Sequence, residues 1–322
     1  MADVTDCAFR QIINKYGKPD AYPPRQALGR VFWTEFVSAD GLAHEKGREK
    51  LLIDLRFSKD EHPIVAQIFG SKEENMRKAA ELCRELGFDG IDINMGCPDK
   101  AIEKQGCGSG MIKDPENAKA MIRAVREGAQ ELPVSVKTRI GYNKNEINTW
   151  IRGLLQENLA MLTVHLRTRK EMSDVPARWD LMTDIIKLRD EISPETLIIG
   201  NGDVLDIDDG RKKCKETGCD GVMLGRAIFG NPWLFAEKIP TLEEKLKVAV
   251  EHTHLFQKLL GKVKNFDIMK KHFKAYVNGF DGAKELRVKL METKNAEEVE
   301  EIISNFLKTI NAHKSSRDTK KS

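Results

Sequence analysis

The chain has 322 residues, 40% of them hydrophobic and 32% charged, with a formal net charge of +3; this composition supports a large core and excludes a disordered, low-hydrophobicity chain. No apolar run reaches the roughly 18 residues a membrane span needs, and the opening MADVTDCAFRQ has neither the basic nor the apolar region of a secretory signal, so a cytoplasmic protein is expected. Six cysteines, at 7, 83, 97, 107, 214 and 219, are too sparse for a disulfide framework, and the isolated C-x4-C of Cys214 and Cys219 falls short of a structural zinc site, so no metal is expected.

Taken in chain order, seven short runs have the composition of strands: VFWTEFVS (31–38), IVAQIF (64–69), DGIDIN (89–94), VSVKT (134–138), MLTVHL (161–166), LIIGN (197–201) and DGVML (220–224). Between most of them lie amphipathic segments. In 72–86, for example, Met76, Ala79, Ala80, Cys83 and Leu86 recur at three- and four-residue steps and line one helical face. Strand then helix, repeated, predicts a parallel β/α fold. One more strand would close a TIM (β/α)8 barrel, but it should precede DVTDCAFRQII, where only two residues stand, so the first strand is expected to be truncated. An open doubly wound sheet is the alternative, although no G-x-G-x-x-G follows an early strand. The stretch AYPPRQALGR (21–30) reads as a loop insertion.

From about 239 the strand signals stop. Helical patterns follow at 241–260, 264–278, 282–291 and 296–312, punctuated by Gly261, Gly279 and Gly282. The expected organisation is a barrel over 1–238, a small all-helical domain over 239–314 and a disordered basic tail over 315–322. Between Lys262 and Lys289 eight basic residues face three acidic ones, which fits either a polyanion-binding face or a solvated helix surface.

In such a barrel the C-terminal ends of the strands build the site. Those ends carry Gln67, Asn94 and Cys97, Lys137 and Arg139, His165 and Arg167, Asn201 and Asp203, then Gly225 and Arg226. Their common placement predicts a ligand site. The last two loops, GNGDV and GRAIFGNP, are glycine-rich; exposed N–H groups there would bind phosphate, with Arg226 as a bidentate donor, although such turns also arise for steric reasons. Lys137 near a flavin N1 would favour the anionic reduced form. Cys97 is either an inert buried thiol or one held toward the ligand.

These segments, with TEFVSADGL, VAQIFG, GFDGIDINMGCPDK, GCGSGMIKDP, VSVKTRIGY, LTVHLRTR, GCDGVMLGRAIFGNPWLF and MKKHFKAYVNGFDGAKELR, resemble the flavin-dependent tRNA-dihydrouridine synthases of the bacterial branch over almost the whole chain. The resemblance implies a barrel that binds FMN, a helical domain that helps hold tRNA, NADPH as the flavin's reductant, and reduction of the uracil C5=C6 bond. It implies Cys97 as the general acid at C5, with hydride passing from flavin N5 to C6 and Asn94 helping to place thiol and base. A thiol of ordinary pKa, about 8.5, is protonated at neutral pH and suits that task. Flavin contacts are implied for Met1, Ala2, Gln67, Lys137, His165, Asn201, Gly202, Asp203, Gly225 and Arg226, and tRNA contacts for Arg139, Arg178, Lys271, His272 and Arg287. A monomer is expected. A flavin barrel acting on a free small molecule, or a tRNA binder without catalysis, are the rival readings.

Overall fold

A computed structural model describes residues 3–18 and 29–318. Met1 and Ala2, most of the 21–30 insertion, and residues 319–322 of the expected tail lie outside the described residues. The chain divides into two compact units. One is Gly29–Ala227; the other joins Ala2–Leu28 to Ile228–Ser322.

In the first unit, seven strands form one parallel sheet in sequential order: β1 (Phe32–Ser38), β2 (Ile64–Phe69), β3 (Gly90–Met95), β4 (Val134–Arg139), β5 (Met161–His165), β6 (Leu197–Asn201) and β7 (Gly221–Met223). Sequential parallel strands with helical crossovers make the wall of a (β/α)8 barrel. Residues 3–18 contribute no strand, so β1 and β7 are its edges among the described residues.

Register sorts the side chains. Gln67 lies level with Asp92, Asp92 with Ser135, Asn94 with Lys137, Lys137 with Thr163, Arg139 with His165, and His165 with Asn201. Residues level across a sheet share a face, and alternate residues along a strand take the other. One face is therefore polar. The other carries Ile91, Ile93, Val136, Leu162, Val164 and Ile198, all fully buried. Helices cover that apolar face: a Cβ at Gly200 would lie 2.4 Å from Trp179 and 3.1 Å from Met182, so only glycine admits them.

The crossover helices close on each other with similar economy. The helix Pro115–Ala129 starts at Asp114, whose carboxylate accepts from the Asn117 N–H, and has proline in its first turn. Its Gly128 sits against the helix Glu73–Glu85, where a Cβ would fall 2.2 Å from the Arg77 carbonyl oxygen.

The second unit is helical and draws on both ends of the chain. The helix Cys7–Tyr16 is capped by Asp6, whose Oδ1 accepts from the Phe9 N–H at 2.9 Å, and it buries Phe9, Ile12 and Ile13. It packs on the helix Leu242–Leu260, to which Lys15 and Tyr16 bind through Glu251 at 2.7 and 2.5 Å. The helices Met269–Tyr276, Ala283–Glu292 and Ala296–Asp318 complete the unit around Phe256, Phe273, Leu286, Leu290, Val299 and Ile303.

The observed division differs from the expected organisation in three respects. The division falls after Ala227 and not at 238, and the N-terminal helix belongs with the C-terminal helices because its apolar face is buried there. The last helix also runs to Asp318, into the segment expected to be a tail. No helix among the described residues is long and apolar enough to cross a membrane.

Candidate active site

The loop after β3 presents Cys97. Asn94 shapes it: Oδ1 accepts from the N–H groups of Gly96 at 3.1 Å and Cys97 at 2.9 Å, while Nδ2 donates to Gln67 Oε1 at 3.0 Å. The loop's carbonyls are held from other elements. Arg139 Nε donates to the Gly96 oxygen at 3.0 Å, and the Ser109 N–H and hydroxyl donate to the Cys97 oxygen at 2.9 and 2.8 Å. Gly108 must be glycine here, since a Cβ would meet that same carbonyl at 2.7 Å. The thiol itself is half-buried, and burial pushes its pKa up. It is a protonated thiol at neutral pH on a loop tied at both its N–H and its C=O groups.

Beside it stands Lys137, whose ammonium makes no hydrogen bond or ion pair among the described residues; burial, then the charge of Arg139, brings its pKa down to about 8. His165 is neutral. Burial first, then Lys137, Arg139, Arg167 and Arg226, lower its pKa to about 2. Arg167 Nη1 lies 3.1 Å from His165 Nε2, and a guanidinium can only donate, so Nε2 is the acceptor and the ring proton sits on Nδ1. Asn201 Nδ2 donates to the Met223 oxygen at 2.8 Å, joining β6 to β7.

The loop after β6 is strained and bound. Gly202 has φ of +120° and Asp203 +51°, the Gly202 oxygen accepts from Trp179 Nε1 at 2.8 Å, and a Cβ at Gly202 would fall 2.8 Å from Ala177. Asp203 accepts from Arg167, from Arg226 at 3.1 Å and from the Ala177 N–H at 2.9 Å. Burial resists its ionisation, but these donors prevail and hold its carboxyl below the usual range. Asp203 is thus a carboxylate between two arginines, which aims Arg226 and does not itself present a free face to an anion. Arg226 is 73% exposed, and at Gly225 a Cβ would meet nothing within 4 Å.

The donor set can be tested against a phosphorylated flavin. Lys137, the Nδ1–H of His165 and Arg226 are donors, and open space lies at Gly225. A ligand rich in acceptors with a terminal phosphate fits them.

Two of the expected tRNA contacts are corrected. Arg139 is 6% exposed, and besides Gly96 it donates to the carbonyls of Thr168 at 3.1 Å and Met172 at 3.0 Å; its guanidinium ties the loop after β3 to the loop after β5. His272 is fully buried in the helical unit, 5.1 Å from Phe9 and 4.6 Å from His252 by ring centroids. The others remain on the surface. Arg178 pairs with Glu171 at 2.8 Å, Lys271 with Asp3 at 3.7 Å, and Arg287 lines a groove of the helical unit with Lys274, Lys284, Val288 and Met291. Asn94, expected to meet the substrate, is 6% exposed and acts first on the loop.

Residues not singled out from the sequence also matter. Arg169 pairs with Glu103, with Nε to Oε1 at 2.7 Å, and so links the loop after β5 to the one after β3. Cys214 and Cys219 have sulfurs 3.7 Å apart, and no group of three metal-binding side chains occurs among the described residues.

A profile of the family described as "Dihydrouridine synthase (Dus)" matches residues 1–312. The chain is 42% identical to the "Probable tRNA-dihydrouridine synthase" of Staphylococcus aureus strain Mu50, over 95% of this chain and 91% of that protein. It is equally 42% identical to the "Probable tRNA-dihydrouridine synthase 2" of Bacillus subtilis strain 168, over 95% and 92%. Among solved structures, it is similar to the old yellow enzyme homologue from Zymomonas mobilis, with a TM-score of 0.49 and 13% identity over 74% of this chain and 85% of that one. On the match along its length and the identity to these relatives, the chain belongs to the dihydrouridine synthase family.

Proposed function

We propose that this protein reduces the C5=C6 bond of uridines in tRNA to give 5,6-dihydrouridine, with Cys97 as the proton donor. The observation that carries the reading is the Cys97 loop: a protonated thiol, tied at both faces of its backbone, beside a set of donors that suits a flavin phosphate and ring. The printed names of its relatives support the substrate.

Lys137, His165, Asn201, Gly202, Gly225 and Arg226 would hold FMN, with Gln67 alongside; Asp203 would act by orienting Arg226. Bound there, FMN supplies the hydride for C6, and NADPH is the proposed source of its electrons. The chain's own part is the proton. Burial keeps the Cys97 thiol from ionising, so the proton is on sulfur when C5 needs it; the thiolate left behind faces Lys137 and Arg139, whose charges favour it. Neutral His165 cannot compete for that proton at working pH, because its own pKa is near 2. A uridine must leave its stack to reach such a site, and the exposed Lys271, Lys274 and Lys284 of the helical unit, with the half-buried Arg287, suit the RNA backbone.

The test uses purified protein with FMN, NADPH and unmodified tRNA, scored for dihydrouridine by mass spectrometry. Wild type forms product, and Cys97→Ala loses about 10²- to 10⁴-fold in rate, the range for removing a general acid, while still binding tRNA. Product from Cys97→Ala at the wild-type rate would remove Cys97 from the reaction.

A further inference from the structure

Asp92 stands in the middle of β3, fully buried, two residues before Asn94. The proposed reaction gives it no part. Both its oxygens are engaged: the Ser135 hydroxyl donates to Oδ1 at 2.6 Å and Gln67 Nε2 donates to Oδ2 at 2.6 Å. From Gln67 the bonds continue in one direction, through Asn94 Nδ2 to Gln67 Oε1 and from the Gly96 and Cys97 N–H groups to Asn94 Oδ1.

The polarity of this chain is fixed from both ends. A backbone N–H can only donate, so Asn94 must turn its oxygen to the loop and its nitrogen to Gln67. A carboxylate only accepts, so Gln67 must turn its nitrogen to Asp92 and its oxygen to Asn94. With an apolar group at position 92, Gln67 Nε2 would lose its acceptor and the Gln67 amide would be held only by the Asn94 Nδ2–H, so it would be left free to shift and draw Asn94 with it. The other holds on the loop, from Arg139 and Ser109, reach carbonyls and leave the N–H side to this chain.

We infer that Asp92 is a positioning residue for the Cys97 thiol, acting through Gln67 and Asn94 on the backbone N–H groups of Gly96 and Cys97. The inference rests on the reading of Cys97 as the proton donor. It also makes one buried carboxylate set two things at once, the amide expected beside the flavin and the loop that carries the acid.

Two substitutions separate an acceptor from mere bulk. Asp92→Asn keeps an oxygen for Gln67 while its amide donates to the Ser135 hydroxyl, so the chain survives; Asp92→Leu removes the acceptor. The rate of Cys97 alkylation by iodoacetamide, mapped by peptide mass spectrometry on the full chain without tRNA from about pH 6 to about pH 10, reads the setting of the thiol independently of turnover. Asp92→Asn should follow the wild-type profile, and Asp92→Leu should change the Cys97 rate about fivefold or more and slow dihydrouridine formation in kcat rather than in KM for tRNA. If Asp92→Leu does not fold, Gln67→Met breaks the chain one link on and is read in the same way. Unchanged Cys97 alkylation in the folded variants overturns the inference, as does an Asp92→Asn profile displaced as far as that of Asp92→Leu. A wild type that alkylates normally but forms no dihydrouridine counts against the proposed reaction alone, and the alkylation comparison still decides the role of Asp92.

Discussion

The two units both bury polar side chains, and the barrel face and the histidine pair of the helical unit hold theirs in opposite ways. In the barrel, Asp92, Arg139, Arg167 and Asn94 are at most 6% exposed, and each is bound to a carbonyl, an N–H or another polar side chain. In the helical unit, His252 and His272 are fully buried among Phe9, Phe229 and Tyr276. The Tyr276 hydroxyl is 3.4 Å from His252 Nδ1, and His252 Nε2 and both His272 nitrogens have no partner among the described residues. A partnered buried group can be held in a chosen orientation and used; an unpartnered one costs stability and is tolerated only while neutral. The bound groups of the barrel face are machinery, and the two histidines of the helical unit are a liability carried by its packing.

The sharpest way to break that contrast is at the apolar core of the helical unit. Phe256 is fully buried, and Phe256→Ala should cost about 3–5 kcal/mol, read as faster hydrogen exchange across the helix Leu242–Leu260. Exchange unchanged from wild type would mean that packing does not carry this unit.

A smaller effect separates the two kinds of buried polarity by pH. Burial brings the His272 pKa to about 3, so below about 6.5 the unfolded chain takes up a proton that the folded one refuses. The stability this gives is fully present above about pH 6.5 and is lost as pH falls toward 3, at up to about 1.4 kcal/mol per unit. His272→Leu should flatten that acid slope in a denaturant titration repeated at several pH values; an unchanged slope would assign the acid sensitivity elsewhere.

The smallest effect lies in the barrel. Thr163 is buried on the polar face beside Lys137, and its hydroxyl has no partner among the described residues. Thr163→Val should change stability by no more than about 1 kcal/mol. A weaker FMN titration in that variant would place the hydroxyl with the ligand donors and extend the contrast to every polar group of the barrel face.

The strands were legible because their β-rich runs are short and separated by helices of clear period, and each observed strand agrees with its run to within a residue or two at either end. The strand-end residues were legible for the same reason, since a parallel barrel assigns them one rim. What composition does not reveal is whether a cation's donors are already spent. The resemblance implies Arg139 and His272 as RNA contacts, yet one ties three carbonyls and the other is enclosed by aromatic rings. Asp92 lies inside DGIDIN, where a carboxylate in a strand buried on both faces is a signal in itself. The helix Cys7–Tyr16 was read with the barrel because it is adjacent in sequence, and only its burial against distant residues shows where it belongs.

That placement bears on how the protein is made. The helix Cys7–Tyr16 leaves the ribosome before the barrel, but its partner Glu251 lies 236 residues after Lys15. At about 5–20 residues per second of synthesis, Phe9, Ile12 and Ile13 wait for some 10–50 s before the helix that covers them has emerged. The nascent chain therefore carries an uncovered greasy helix through the whole synthesis of the barrel, a ready target for holding chaperones. A gene fragment that starts at the helical domain's apparent beginning would encode that domain without one of its own helices.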